Sequence, residues 1–168
     1  MTAALKLSDE IVYRIENNFD EICAATRYLW AAHWDEIASH KEVRHFDPDL
    51  ELRRRLIGKN WLAMTARQGG RVIGYISWFV YGDPQVQDQI TAETDIYYVE
   101  PRSDRALVML QLMRRSLDEL ARRGVTIARP RTKLKTEGPG RGAGLLWERL
   151  GFKPFEIIYG KILDKPDR

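Results

Sequence analysis

Cysteine is almost absent from this chain: among 168 residues, Cys23 stands alone. A single thiol excludes an internal disulfide and a thiolate metal cluster. No basic partner marks Cys23 as a nucleophile, so it reads as a core or half-buried thiol. Histidine is also scarce. His33, His40 and His45 are irregularly spaced, and with the neighbouring acids Asp35 and Glu36 they make no metal-ligand pattern; structural or surface roles are expected for them. No apolar stretch approaches the length of a membrane span. The N-terminus, MTAALKLSDEIVYR, has no basic segment followed by an apolar one, so no signal peptide is expected and the cytoplasm is the expected compartment. Neither sign of charge dominates: 27 Lys and Arg against 24 Asp and Glu leave +3. With no nucleic-acid motif in view, this mild excess argues against nucleic acid as a partner. One further gap is local. The stretch YYVEPRSDRALVML, Tyr97 to Leu110, contains no glycine.

What is present is an ordinary globular mixture, 44% hydrophobic and 30% charged, whose length fits one domain over residues 1–168. Ile11, Tyr13 and Ile15 alternate and predict a short strand. Asn18 and Glu21 have the spacing of a capping box, after which Ile22, Thr26, Leu29, Trp30, His33, Trp34 and Ile37 share one helical face. A second helix is expected from Asp47, with Pro48 in its first turn. WLAMTAR from Trp61 and RVIGYISWFVY from Arg71 read as a β-hairpin turning at Gln68-Gly69-Gly70. ETDIYYVE from Glu93 is a third sheet strand ended by Pro101.

A long helix is predicted over about 104–123. Leu110, Met113, Leu117 and Leu120 form its inner stripe, and Arg114, Arg115, Asp118, Glu119, Arg122 and Arg123 lie mostly on the outer side. Gly124 stops it. VTIARP is a strand, GLLWERLGF a short helix closed by Gly151, and FEIIYGKIL from Phe155 a last strand. The order describes an α/β (α+β) domain: a central mixed, mostly antiparallel sheet, helices on both faces, and a βαβ crossover through the long helix. Between the last helix and the strand before it, Arg129, Arg131, Lys133, Lys135 and Arg141 cluster. They read either as a solvated loop or as an anion site. GPGRGAG from Gly138 reads either as a flexible loop or as an anion nest.

Three segments carry a family resemblance. GRVIGYISWFV resembles the hairpin strand of the GNAT (GCN5-related N-acetyltransferase) superfamily. IYYVEP resembles its central strand, which ends in Val-x-Pro, and LLWERLGF resembles its late Leu-Tyr-x-x-x-Gly-Phe segment. The match covers most of the chain from Trp61 onward. In addition, HWDEIA, FDPDLE and FEIIYGKIL are similar to segments of small GNAT-like proteins of bacteriophage genomes. The resemblance implies the GNAT fold and an N-acetyltransferase that moves acetyl from acetyl-CoA to a primary amine, on a protein Lys or a small molecule. It further implies the host cytoplasm if the gene is a phage gene, no membrane partner, and a homodimer as one assembly state.

The resemblance also assigns roles. Backbone groups of Tyr97, Tyr98 and Val99, with Ile96, would pair with the pantetheine arm of the cofactor. The base that takes the amine proton would lie at the start of this strand, at Glu93 or Asp95, with Glu93 the first choice; both also read as solvated strand-end acids. The family holds the pyrophosphate on a glycine loop, Arg/Gln-x-x-Gly-x-Gly/Ala, at the start of the long helix. With Arg102 taken as that arginine, Arg105 and Leu107 occupy the glycine positions, and their side chains would hold the backbone away from phosphate. Arg102, Arg105 and Ala106 are then the expected contacts, the arginines acting through their side chains. Asp104 reads as a helix-cap or first-turn acid. Trp147 stands where the family has its general-acid Tyr, which leaves Tyr159 as a substitute or simply a half-buried strand aromatic. The missing glycines and Trp147 support a second expectation: a GNAT-fold protein without efficient cofactor binding, acting on a host enzyme or a virion protein. No metal is expected.

Overall fold

A computed structural model describes residues 10–38, 41, 46–57, 60–132, 143–154, 156, 158, 161 and 162. The predicted hairpin sits at its centre. Gly69 and Gly70 take φ of 57° and 83°, the pair of positive values that lets a two-residue turn follow the twist of its strands. This turn joins β2 (Trp61–Gln68) to β3 (Arg71–Gly82). β1 (Ile11–Glu16) pairs antiparallel with β2, and β4 (Ile90–Val99) antiparallel with β3. β5 (Ile127–Arg129) pairs parallel with β4. Among the described residues the sheet has five strands, in the order β1-β2-β3-β4-β5.

Gly74 of β3 faces Val99 of β4. A Cβ there would lie 2.7 Å from Val99 Cγ2 and 3.0 Å from the Tyr98 carbonyl oxygen, so only glycine allows the two strands this approach.

The helices start and stop for local reasons. Asn18 caps α1 (Phe19–Thr26): its Oδ1 accepts from the backbone N–H groups of Asp20 and Glu21 at 3.0 and 3.3 Å, and its amide donates to Glu21 Oε1. The single helical face expected from Ile22 to Ile37 is interrupted by a 3-10 turn at Arg27–Leu29 before α2 (Trp30–Ile37). Thr26, just before the break, donates its hydroxyl to the Ile22 carbonyl, a bond that competes with the regular ladder. α3 (Leu50–Ile57) begins later than expected, because Asp49 and not Asp47 is its cap: Asp49 Oδ1 accepts from Leu52 N–H at 2.8 Å.

α4 (Arg105–Arg122) is the crossover between β4 and β5. Its buried side chains are Val108, Leu112, Met113, Ser116, Glu119 and Leu120, so the inner stripe is rotated from the expected one, and Leu110 and Leu117 are only half-buried. Glu119, expected on the outer side, is buried because Arg122 and Arg123 both donate to its carboxylate at 2.7 Å. Their hydrogen bonds hold its carboxyl well down, at about 2. Gly124 and Gly151, with φ of 82° and 87°, end α4 and the segment after α5 (Ala143–Arg149). The last strand expected from Phe155 falls largely outside the described residues; Glu156, Ile158, Lys161 and Ile162, which are described, lie in no strand.

The sheet is covered on both faces. One carries the main core, in which Leu62, Met64, Ile76, Trp78 and Ala92 pack against Val108, Leu112, Met113 and Leu120 of α4 and Trp147 of α5. The other carries a smaller cluster of Val72, Tyr75 and Tyr98 against Leu29, with Ala25, Trp30 and Ile96 at its margin.

Candidate functional site

The ladder between β4 and β5 is short. It joins Thr91, Ala92 and Glu93 to Ile127, Ala128 and Arg129 and stops there. One more contact follows, Arg131 N–H to Thr94 Oγ1 at 2.7 Å. From Asp95 to Val99, β4 keeps β3 on one side and has no strand on the other among the described residues. The register to β3 also breaks here: Ser77 faces Ile96 while Trp78 faces Thr94, so Asp95 is the extra residue of a β-bulge. Bulges re-aim side chains beside open edges. Here the bulge sits where the two strands part.

The two candidate bases are treated differently. Glu93 is held by both oxygens, Oε2 by Arg131 and Oε1 by Arg129 at 3.7 Å. Asp95 is held through one oxygen: Arg53 of α3 and Ser77 Oγ, at 3.0 Å, both donate to Oδ2. Oδ1 has no hydrogen bond within the described residues. Burial pushes the Asp95 carboxyl above its usual range, against the opposing pull of Arg53 and Ser77. Neither Arg53 nor Ser77 stood out in the sequence, since their meeting with Asp95 depends on how α3 packs on the sheet.

At the start of α4, the N–H of Arg105 bonds to the Arg102 carbonyl at 3.3 Å, whereas those of Ala106 and Leu107 have no partner among the described residues. Such a helix end favours an anion. The expected side-chain contacts are engaged, however. Arg102 donates to both Asp104 oxygens, through Nη2 at 3.1 Å and through Nε, and to Gln68 at 3.1 Å. Arg105 donates through a single nitrogen, Nη2, to both carboxylate oxygens of Glu36 of α2, at 2.9 and 2.7 Å. Asp104, expected to cap the helix, makes no side-chain capping bond and instead answers Arg102.

Tyr97 and Tyr98 point to opposite faces. Tyr97 packs edge-on against Trp147, with ring centres 5.3 Å apart, and burial raises its phenol. Trp147 is thus a core residue, 4% exposed. Tyr98 is stacked on His33 at 4.8 Å, and Arg105 lies over its ring at 5.3 Å. Val99 is buried opposite Gly74. Tyr159, His40, His45, Lys133, Lys135 and the Gly138–Gly142 loop with Arg141 lie outside the described residues. Of the five clustered basic residues, Arg129 and Arg131 are described, and both turn to Glu93.

Solved structures share this fold. An aminoglycoside acetyltransferase from an uncultured soil metagenomic sample superposes with a TM-score of 0.70 at 15% identity, over 92% of this chain and 99% of its own. The chain has the GNAT fold. A GCN5-related N-acetyltransferase from Ralstonia eutropha JMP134 matches with a TM-score of 0.66 at 20% identity, over 91% of this chain and 99% of its own. A predicted acetyltransferase from Clostridium acetobutylicum, solved with acetyl-CoA, matches at 0.64 and 12% identity, over 91% and 96%. No protein-family model matches the chain, and no curated protein matches it in sequence. The likeness is therefore one of fold. Among the described residues, no helix is long and apolar enough to cross a membrane.

Proposed function

We propose that this protein is an acyl-CoA-dependent N-acetyltransferase that moves acetyl from acetyl-CoA to a primary amine on a small molecule or a protein. The edge of β4 from Asp95 to Val99, which has no second strand among the described residues, carries this reading. An extended pantetheine arm can add to that edge through main-chain hydrogen bonds, as a peptide strand would. A backbone N–H of the same edge can donate to the thioester oxygen as charge develops there. Asp95 is the base. Its open Oδ1 and its raised proton affinity suit a group that takes the amine proton as nitrogen attacks the carbonyl carbon. Glu93, gripped on both oxygens, supports the strand end instead. When the carbon–sulfur bond breaks, the thiolate needs a proton. Tyr159 keeps the role that the resemblance gives it, and Tyr97, against Trp147, is the phenol on the α5 face.

The phosphate end departs from a glycine cradle. Ala106 and Leu107 offer two N–H groups, but a pyrophosphate has to compete with Asp104 for Arg102 and with Glu36 for Arg105. Cofactor binding is consequently weak. The same neutralised arginines favour a second reading, in which the fold serves to bind another protein, a host enzyme or virion component in a phage setting. Calorimetric titration with acetyl-CoA and with CoA separates the two. Binding in the micromolar range supports the transferase, and silence at millimolar concentration rejects it. In the transferase, Asp95→Asn lowers turnover by about 10²–10⁴-fold and leaves acetyl-CoA affinity within a few-fold. An equal loss of affinity and turnover would remove Asp95 from the chemistry.

A further inference from the structure

His33 is 6% exposed, and its two ring nitrogens fare differently. Nδ1 lies 2.7 Å from the Tyr75 hydroxyl oxygen. Nε2 is sealed from solvent and has no hydrogen-bond partner among the described residues. Burial first, then the positive charges of Arg105 and Arg53, lower its pKa to about 4, so the ring is neutral at physiological pH. A neutral imidazole has one N–H and one lone pair. If Tyr75 donates to Nδ1, the ring proton sits on Nε2, and one donor is left over. If Nδ1 donates to Tyr75, Nε2 becomes an idle acceptor and the Tyr75 proton is idle as well, because Tyr75 makes no other hydrogen bond in the described structure. The first arrangement wastes less, so the orphan is an Nε2–H donor. Buried donors without acceptors call for an explanation; unlike the indole N–H groups of Trp78 and Trp147, which also lack partners among the described residues but lie in the main core, this one lies on the face that carries Asp95.

The surroundings say where such an acceptor would come from. The ring stacks on Tyr98, at 4.8 Å and 22°, within the part of β4 that has β3 on one side and no strand on the other among the described residues. Asp95, three residues back, lies on the same side of the sheet, where α3 reaches it through Arg53. The donor is thus one ring away from the strand proposed to carry the thioester.

We propose that His33 Nε2–H is a substrate contact: it donates to a carbonyl or hydroxyl oxygen carried next to the amine that is acetylated. This rests on the acetyltransferase reading and narrows it, from any primary amine to an amino amide or an amino sugar. Contact with this buried atom requires α2 to part from Tyr98. A donor placed for an oxygen penalises an amine that has none, since the N–H is then buried unpaired.

The test uses the full-length protein in two arms. In the first, ¹⁵N NMR of labelled histidine reads the His33 tautomer, and alaninamide, glucosamine and n-butylamine are then titrated in turn. The expected result is an Nε2–H ring proton whose signal shifts with alaninamide (a carbonyl) or glucosamine (hydroxyls) and not with n-butylamine. An Nδ1–H tautomer overturns the proposal, as does a signal that responds to no probe and reports a buried water only. In the second arm, acetyl transfer to the same amines is compared. His33→Phe lowers kcat/KM by about tenfold for the oxygen-bearing amine and by less than threefold for n-butylamine, and His33→Gln, which restores an N–H, recovers part of the loss. Equal losses for all three amines overturn it. A shifted His33 signal without any acetylation would keep the binding site and reject the transferase reading; acetylation indifferent to His33 would do the reverse.

Discussion

On the α4 side of the sheet, Leu62, Ile76 and Trp78 meet Val108, Leu112 and Leu120 in a continuous apolar core. On the α2 side, Leu29 and Val72 share a small cluster with Tyr75 and Tyr98, and around it lie a buried imidazole and the ion pairs Asp95–Arg53 and Glu36–Arg105. Side chains of the first kind gain from leaving water whatever their exact partner. Those of the second kind repay burial only when every polar atom is matched. The contrast assigns two tasks to one sheet: one face supplies most of the stability, and the other gathers a buried imidazole and paired charges beside Asp95, a concentration of polar groups that marks a working site.

The largest effect should come from truncating matched leucines on the two faces. Leu112→Ala, in the main core, is expected to cost about 3–5 kcal/mol, and Leu29→Ala, in the smaller cluster, about 2–3 kcal/mol, because a site with fewer packed neighbours collapses more readily around the loss. Urea denaturation of both variants checks this, and a reversed order would break the assignment of stability to the α4 side. Next comes pH. His33 titrates near 6.5 when unfolded and near 4 when folded, so between these values the unfolded chain binds more protons. Stability should be insensitive to this group above pH 6.5 and fall by about 3 kcal/mol as the pH drops to 4. Equilibrium melts of the wild type and His33→Phe at stepped pH isolate that slope, which the variant should lose. The smallest effect is Gly74→Ala. The added methyl meets Val99 and the Tyr98 carbonyl, and a cost of about 1–3 kcal/mol is expected. Thermal unfolding measures it, and a neutral result would mean that β4 shifts freely at its splayed end.

Much of the scaffold could be read from local pattern. The Gly69-Gly70 turn, the Asn18 cap and the stops at Gly124 and Gly151 each follow from one or two residues, and the structure keeps them. Boundaries moved where a competing cap or bond was not visible, as with Asp49 at α3 and Thr26 at the break between α1 and α2. The α4 stripe was rotated because Glu119, which a hydropathy pattern sends outward, is carried inward by its two arginines. The site was less legible. Strand position could nominate Glu93 and Asp95, but not the bulge that sets Asp95 apart or the arginines that tie Glu93 down. His33 looked like an ordinary inward-facing residue of a helix; its meaning comes from Tyr75 and Tyr98, contributed by strands more than 40 positions away.

The order of strands in the sheet has a consequence for how the chain reaches this form. β1 to β4 lie side by side in the sequence in which they are made, and apart from the helical excursion between β1 and β2, each joins a neighbour just preceding it. Such contacts close early, because little chain entropy is spent in bringing them together. The β4–β5 ladder is different: only three residue pairs long, it waits for the 18-residue helix between its strands. The opening beside Asp95 is therefore bounded on one side by a local hairpin contact and on the other by a crossover contact that closes later, exceeded in sequence separation only by the β1–β2 pair.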